Sequence, residues 1–99
     1  MGAKRPGREL LTRAIAAVRA SDYGGPLHVD DAHCVVAADG VLVYLDDVPY
    51  ADLTTGAVYT TFVVRFKRDA VDLVSVSTYR TEVGPDGRHT TLETRAVKI

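Results

Sequence analysis

The sequence predicts an α+β domain: one N-terminal helix packed on a curved, roughly five-stranded antiparallel sheet, in the order helix, hairpin, three-stranded meander. Three observations carry this. Apolar residues recur at three- and four-residue spacing only within residues 8–20. From residue 27 onward the period is that of strands. Turn signals punctuate the strand-like stretch at Asp39-Gly40, Arg68-Asp69 and Pro85-Asp86-Gly87. A chain of 99 residues can bury roughly 60–70% of its unfolded surface, enough for one modest core. With 46% hydrophobic and 25% charged residues the composition is that of a folded domain.

Residues 1–7 read as a flexible basic arm ending in breakers, and residues 8–99 as a single domain. In RELLTRAIAAVRA, Leu10, Leu11, Ala14, Ile15 and Val18 form one apolar stripe, with Arg8, Thr12, Arg13 and Arg19 away from it. Ser21-Asp22-Tyr23-Gly24-Gly25 ends the helix, and Pro26 follows. Residues 33–38 and 41–46 flank Asp39-Gly40, a two-residue hairpin signal because a type I′ turn needs positive φ at both positions. That register sets Val36 against Val43, Cys34 against Leu45 and His33 against Asp46. Residues 57–67 and 70–82 read as a second hairpin about Arg68-Asp69. It pairs Phe66 with Val71, Val64 with Leu73, and Arg65 with Asp72 as an opposite-charge pair. Around Pro85-Asp86-Gly87 a three-residue loop with a left-handed glycine sets Gly84 opposite Arg88. Val83 then faces His89, Tyr79 faces Glu93 and Leu73 faces Ile99.

Sorting the meander by side-chain alternation gives two faces. One carries Val58, Phe62, Val64, Phe66, Val71, Leu73, Val97 and Ile99 and turns polar at its far end, where Thr60, Ser77, Tyr79, Glu93 and Arg95 converge. The other carries Tyr59, Val63, Val74, Val76, Leu92 and Ala96 among polar residues. One short helix covers one face only. The second is then an interface candidate, packing on the first hairpin, a second copy or a partner.

This order resembles the cystatin-like and nuclear-transport-factor-2-like folds, in which a helix lies across a curved antiparallel sheet. The resemblance covers the helix at 8–20 and the strands at 57–99, and is one of element order. It implies a fold and association through the sheet. The cystatin Gln-x-Val-x-Gly loop is absent, because the chain has no Gln.

Charge is unevenly distributed. Residues 1–20 hold Lys4, Arg5, Arg8, Arg13 and Arg19 against Glu9, while residues 21–52 hold seven Asp and no Lys or Arg. The basic arm is a possible phosphate contact. Yet there is no Asn or Gln to read adenine, no zinc-finger spacing and no aromatic platform beside the cations of Arg65, Lys67 and Arg68. His28-Val29-Asp30-Asp31-Ala32-His33-Cys34 holds ligand-type residues, but alternation splits them between faces, so no metal is expected. Cys34 aligns with apolar neighbours and reads as a buried thiol. No P-loop, GxGxxG or GxSxG occurs, so no cofactor and no catalytic residue are assigned.

No apolar run reaches about 18 residues, residues 1–20 lack a continuous apolar segment so no secretory leader is expected, and with one cysteine a cytoplasmic setting is expected. The function expected first is a small non-catalytic interaction module or assembly subunit, self-associating through the apolar sheet face; a phage-encoded, accessory or inhibitor protein would suit the size. A first alternative is a small-molecule binder or enzyme with a cone-shaped pocket at Thr60, Ser77, Tyr79, Glu93 and Arg95. A second is a nucleic-acid or acidic-partner binder using the basic arm.

Overall fold

The computed structural model describes residues 4–21, 23–49 and 53–97. Helix α1 (Arg8–Ala20) packs on a five-stranded antiparallel sheet of β1 (His28–Ala37), β2 (Gly40–Asp46), β3 (Val58–Phe66), β4 (Leu73–Val83) and β5 (His89–Val97). Spatial order follows chain order, so the first hairpin extends the meander through β2–β3 pairing. It does not fold over the second face. No helix among the described residues is long and apolar enough to cross a membrane.

Helix α1 occupies the expected residues. Ala14, Ala17 and Val18 are buried, while Leu10, Leu11 and Ile15 pack against the core at its margin. Ser21 closes the helix, its hydroxyl and its backbone N–H both donating to the Val18 carbonyl. The sheet contributes Cys34, Val41, Val43, Leu45, Phe62, Val64, Phe66 and Val76 to the same core. Each such side chain adds roughly 1.5–3 kcal/mol when removed from water.

Two of the three turns differ from expectation. The first hairpin turns at Ala38-Asp39, with Ala37 opposite Gly40, Val36 opposite Val41 and Cys34 opposite Val43. Neither turn residue has positive φ. Gly40 serves a different purpose: a Cβ there would lie 2.4 Å from the Phe66 carbonyl oxygen on the adjacent strand. The register moves by two residues, which keeps every side chain on its face but sets His33 opposite Tyr44 rather than Asp46.

The second turn is longer than expected. The Lys67 N–H donates to the Asp72 carbonyl, Ala70 takes a positive φ of 58°, and the Asp69 carboxylate accepts from the N–H groups of Val71 and Asp72. Those two donors hold the Asp69 pKa below its ordinary value. An irregularity at Arg65/Phe66 follows, after which Val64 pairs with Val76 and Phe62 with Thr78. Arg65 therefore faces Ser75, not Asp72, and its guanidinium instead approaches Asp39 at 3.7 Å. The displacement from the expected pairing is an odd number of residues, so β4 turns over. Val76, Thr78 and Arg80 come to the helix side, and Ser77 and Tyr79 go to the other.

The third turn matches its expectation: Gly87 has φ 78°, Gly84 pairs with Arg88, and Val83 faces His89. An irregularity at Arg80/Thr81 then sets Glu93 against Arg80 and Thr94 against Tyr79. The expected pairing of Leu73 with Ile99 lies outside the described residues, as does Asp22 at the helix end.

The two sheet edges are unlike. Along β1, Lys4 exchanges backbone hydrogen bonds with Cys34 at 3.0 and 2.6 Å, and the Arg5 guanidinium donates to the Asp30 carbonyl. Every residue of β5 from His89 to Ala96 is exposed.

Candidate functional site

Helix α1 has 13 residues, about 20 Å at 1.5 Å per residue, and its main contacts are with β3 and β4. It leaves the β4–β5 end of its sheet face uncovered. There an open cavity of about 730 Å³ forms, lined by Thr60, Phe62, Thr78, Arg80, Glu93, Arg95, Ala96 and Val97 of the sheet and by Ser21 and Tyr23 beyond the helix.

Local chemistry builds the Tyr23 wall. The Tyr23 ring tilts against Phe62 with centroids 4.5 Å apart, and its hydroxyl donates to the Pro26 carbonyl at 2.8 Å. Arg19 lies over the ring at 5.7 Å and donates to the carbonyls of Tyr23 and Gly25. Gly25 makes this fold-back feasible, since a Cβ there would sit 2.6 Å from the Tyr23 hydroxyl. Desolvation, with the Asp47 carboxylate behind it, raises the Tyr23 pKa, so the phenol stays neutral in the ordinary pH range.

The polar wall comes from three strands in register. Arg80 lies between Thr60 on β3 and Glu93 on β5, and Thr78 lies between Phe62 and Arg95. Among the described residues, neither guanidinium nor the Glu93 carboxylate has an ion-pair or hydrogen-bond partner. Two cations and one carboxylate thus face one cavity whose opposite wall is aromatic.

Of the residues expected to converge, Thr60, Glu93 and Arg95 do so. Ser77 and Tyr79 do not, because β4 is turned over, and Thr78 and Arg80 stand in their places. A Tyr79–Glu93 acid–base pair is thereby ruled out. Arg80 and Thr78 were legible as meander residues; the face they occupy depended on one irregularity between Arg65 and Phe66.

Tyr79 belongs to a second cluster, on the sheet face away from α1. The Thr61 hydroxyl donates to Asp46 at 2.5 Å, and Thr61 faces both Asp46 and Tyr79 across the ladder. His33 stacks on Tyr44 beside them, with centroids 4.7 Å apart. Burial raises the Asp46 pKa against the lowering effect of the Thr61 hydrogen bond. Burial, with Asp46 nearby, raises that of Tyr79.

The expected interface set divides. Tyr59, Val63 and Ala96 lie on the sheet face away from α1, and Tyr59 hydrogen-bonds His89 Nδ1 at 2.8 Å. Val76 is 1% exposed and belongs to the helix-side core, a consequence of the same turned strand. Val74 and Leu92 are exposed beside the two ladder irregularities. In the basic segment, Arg5 and Arg19 bond backbone carbonyls, and Arg13 joins the Ala70 carbonyl and Glu9. Lys4 and Arg8 keep exposed side chains. His28 pairs with Asp31 at 3.0 Å, and Cys34 is buried. Among the described residues no three His, Cys, Asp or Glu side chains are grouped to hold a metal ion.

No protein-family model, no curated protein and no solved structure matches this chain. The cystatin-like and nuclear-transport-factor-2-like resemblance expected from element order gains no support from these comparisons, and the functional reading rests on the site.

Proposed function

We propose that this chain is a small ligand-binding module whose cavity takes an anionic organic molecule, a carboxylate or phosphate ester carrying an apolar or aromatic portion. One observation supports this most: Arg80 and Arg95 both line the cavity, without ion-pair partners among the described residues, opposite an apolar wall of Tyr23 and Phe62. Guanidinium groups bind such anions through charge-assisted hydrogen bonds of fixed geometry. The volume suits a small organic ligand. Thr60 and Thr78 supply hydroxyls beside the anion, and Glu93 across from Arg80 disfavours a second negative charge.

Isothermal titration calorimetry with aromatic carboxylates, phosphate esters and their neutral isosteres tests the reading. The acids are expected to bind and the isosteres not. Arg80→Ala should weaken binding roughly 10- to 100-fold, the range for losing one charged hydrogen bond. Equal affinity for acids and isosteres, or no binding by either, would overturn it.

A further inference from the structure

We propose that β5 is a self-association edge, pairing antiparallel with β5 of a second copy in the register centred on Thr94. The sheet has two edge strands, and the outer edge of β1 is occupied by Lys4 and Arg5. Among the described residues β5 has a neighbour on one side only, and eight of its nine residues, His89 to Ala96, are exposed. Its composition, HTTLETRAV, holds three Thr and a Val and no Pro, which suits ladder formation.

Charge selects the occupant and the register. A symmetric antiparallel pairing sets one residue directly opposite its own copy, because the twofold axis perpendicular to the sheet passes through an opposed pair. Centring on Glu93 places carboxylate against carboxylate, and centring on Arg95 places guanidinium against guanidinium. Centring on Thr94 places Glu93 opposite Arg95 of the second copy, twice over. It also sets Leu92, 52% exposed, against Ala96. Charged residues on an edge ordinarily block indiscriminate strand pairing. Here they block the neighbouring registers and admit this one. Glu93 and Arg95 also line the cavity, so the two cavities adjoin at the seam, and Arg80 is the cavity guanidinium that this pairing does not engage.

Analytical ultracentrifugation of the full chain without any ligand reads this independently of the binding reading. A reversible dimer is expected. Glu93→Arg and Arg95→Glu should each weaken it roughly tenfold or more, since two attractive cross-strand pairs become repulsive. The double exchange should restore it. Arg80→Ala should leave it unchanged. Thr94→Cys should cross-link two copies under mild oxidation, whereas Thr91→Cys, opposite Val97 of the second copy, should not. A monomer at every concentration, a dimer indifferent to the single charge reversals, or the reverse order of cross-linking would overturn the proposal.

Discussion

The helix side of the sheet has two halves that share one plane but not one solvent. Under α1, Val43, Leu45 and Val64 are fully buried, and Phe66 and Val76 nearly so. Beyond it, the same rows continue as Thr60, Thr78, Arg80, Glu93 and Arg95 around an open cavity. Alternation along β3 and β4 does not change between the halves; the reach of a short helix does. A sheet wider than its cover yields a dry half that holds the fold and a wet half that leaves polar side chains around an open cavity.

The largest test of that contrast is truncation in the dry half. Phe66→Ala should cost about 3–5 kcal/mol in chemical denaturation, as losing a large buried side chain does. Arg80→Ala in the wet half should change stability by less than about 0.5 kcal/mol. A comparable loss at both positions would erase the distinction. Gly40→Ala comes next. Its Cβ meets backbone rather than a movable side chain, so a loss of about 1–3 kcal/mol is expected from overpacking. Thr81 then reverses the sign. Its hydroxyl is buried without a hydrogen-bond partner among the described residues, and Thr81→Val should raise stability by about 1 kcal/mol.

The smallest effect belongs to Asp46, behind the dry half. Burial lifts its pKa above the ordinary 3.8, so ionising it costs more in the folded chain than in the unfolded one. Its favourable contribution is full below the unfolded value and is lost as pH rises through the folded one. Asp46→Asn should therefore flatten the decline in melting temperature as pH rises from the ordinary carboxylate value of 3.8. An unchanged pH profile would show that the Thr61 hydrogen bond offsets the burial.

Much of the fold was legible because local chemistry and global packing agree. The stripe Leu10–Val18 permits only a helix with one buried side, and Gly87 after Pro85-Asp86 supplies the positive φ its loop needs. Asp39-Gly40 misled for a physical reason: glycine satisfies a positive-φ turn and a close backbone approach equally well, and only the neighbouring strand distinguishes them. Arg65 opposite Asp72 misled likewise, because a local charge pair competed with the Asp69 turn, which captures two backbone donors instead.

The site was half legible. Thr60 lies on a strand whose face follows from unbroken alternation; Glu93 and Arg95 reach the same face only because the Arg80/Thr81 irregularity compensates for the turned β4. Arg80 and Thr78 lie beyond a second-turn loop and ladder irregularity that sequence does not encode locally.

By itself the sequence determined the element order, the helix limits, the antiparallel meander and the burial of Cys34, since each depends on periodicity or turn chemistry among near neighbours. Tertiary structure decided which face β4 presents, where the helix stops covering the sheet, and which edge is closed by Lys4 and Arg5. Those outcomes depend on distant backbone groups competing for the same hydrogen bonds. A shift by an odd number of residues exchanges every side chain of a strand between core and solvent.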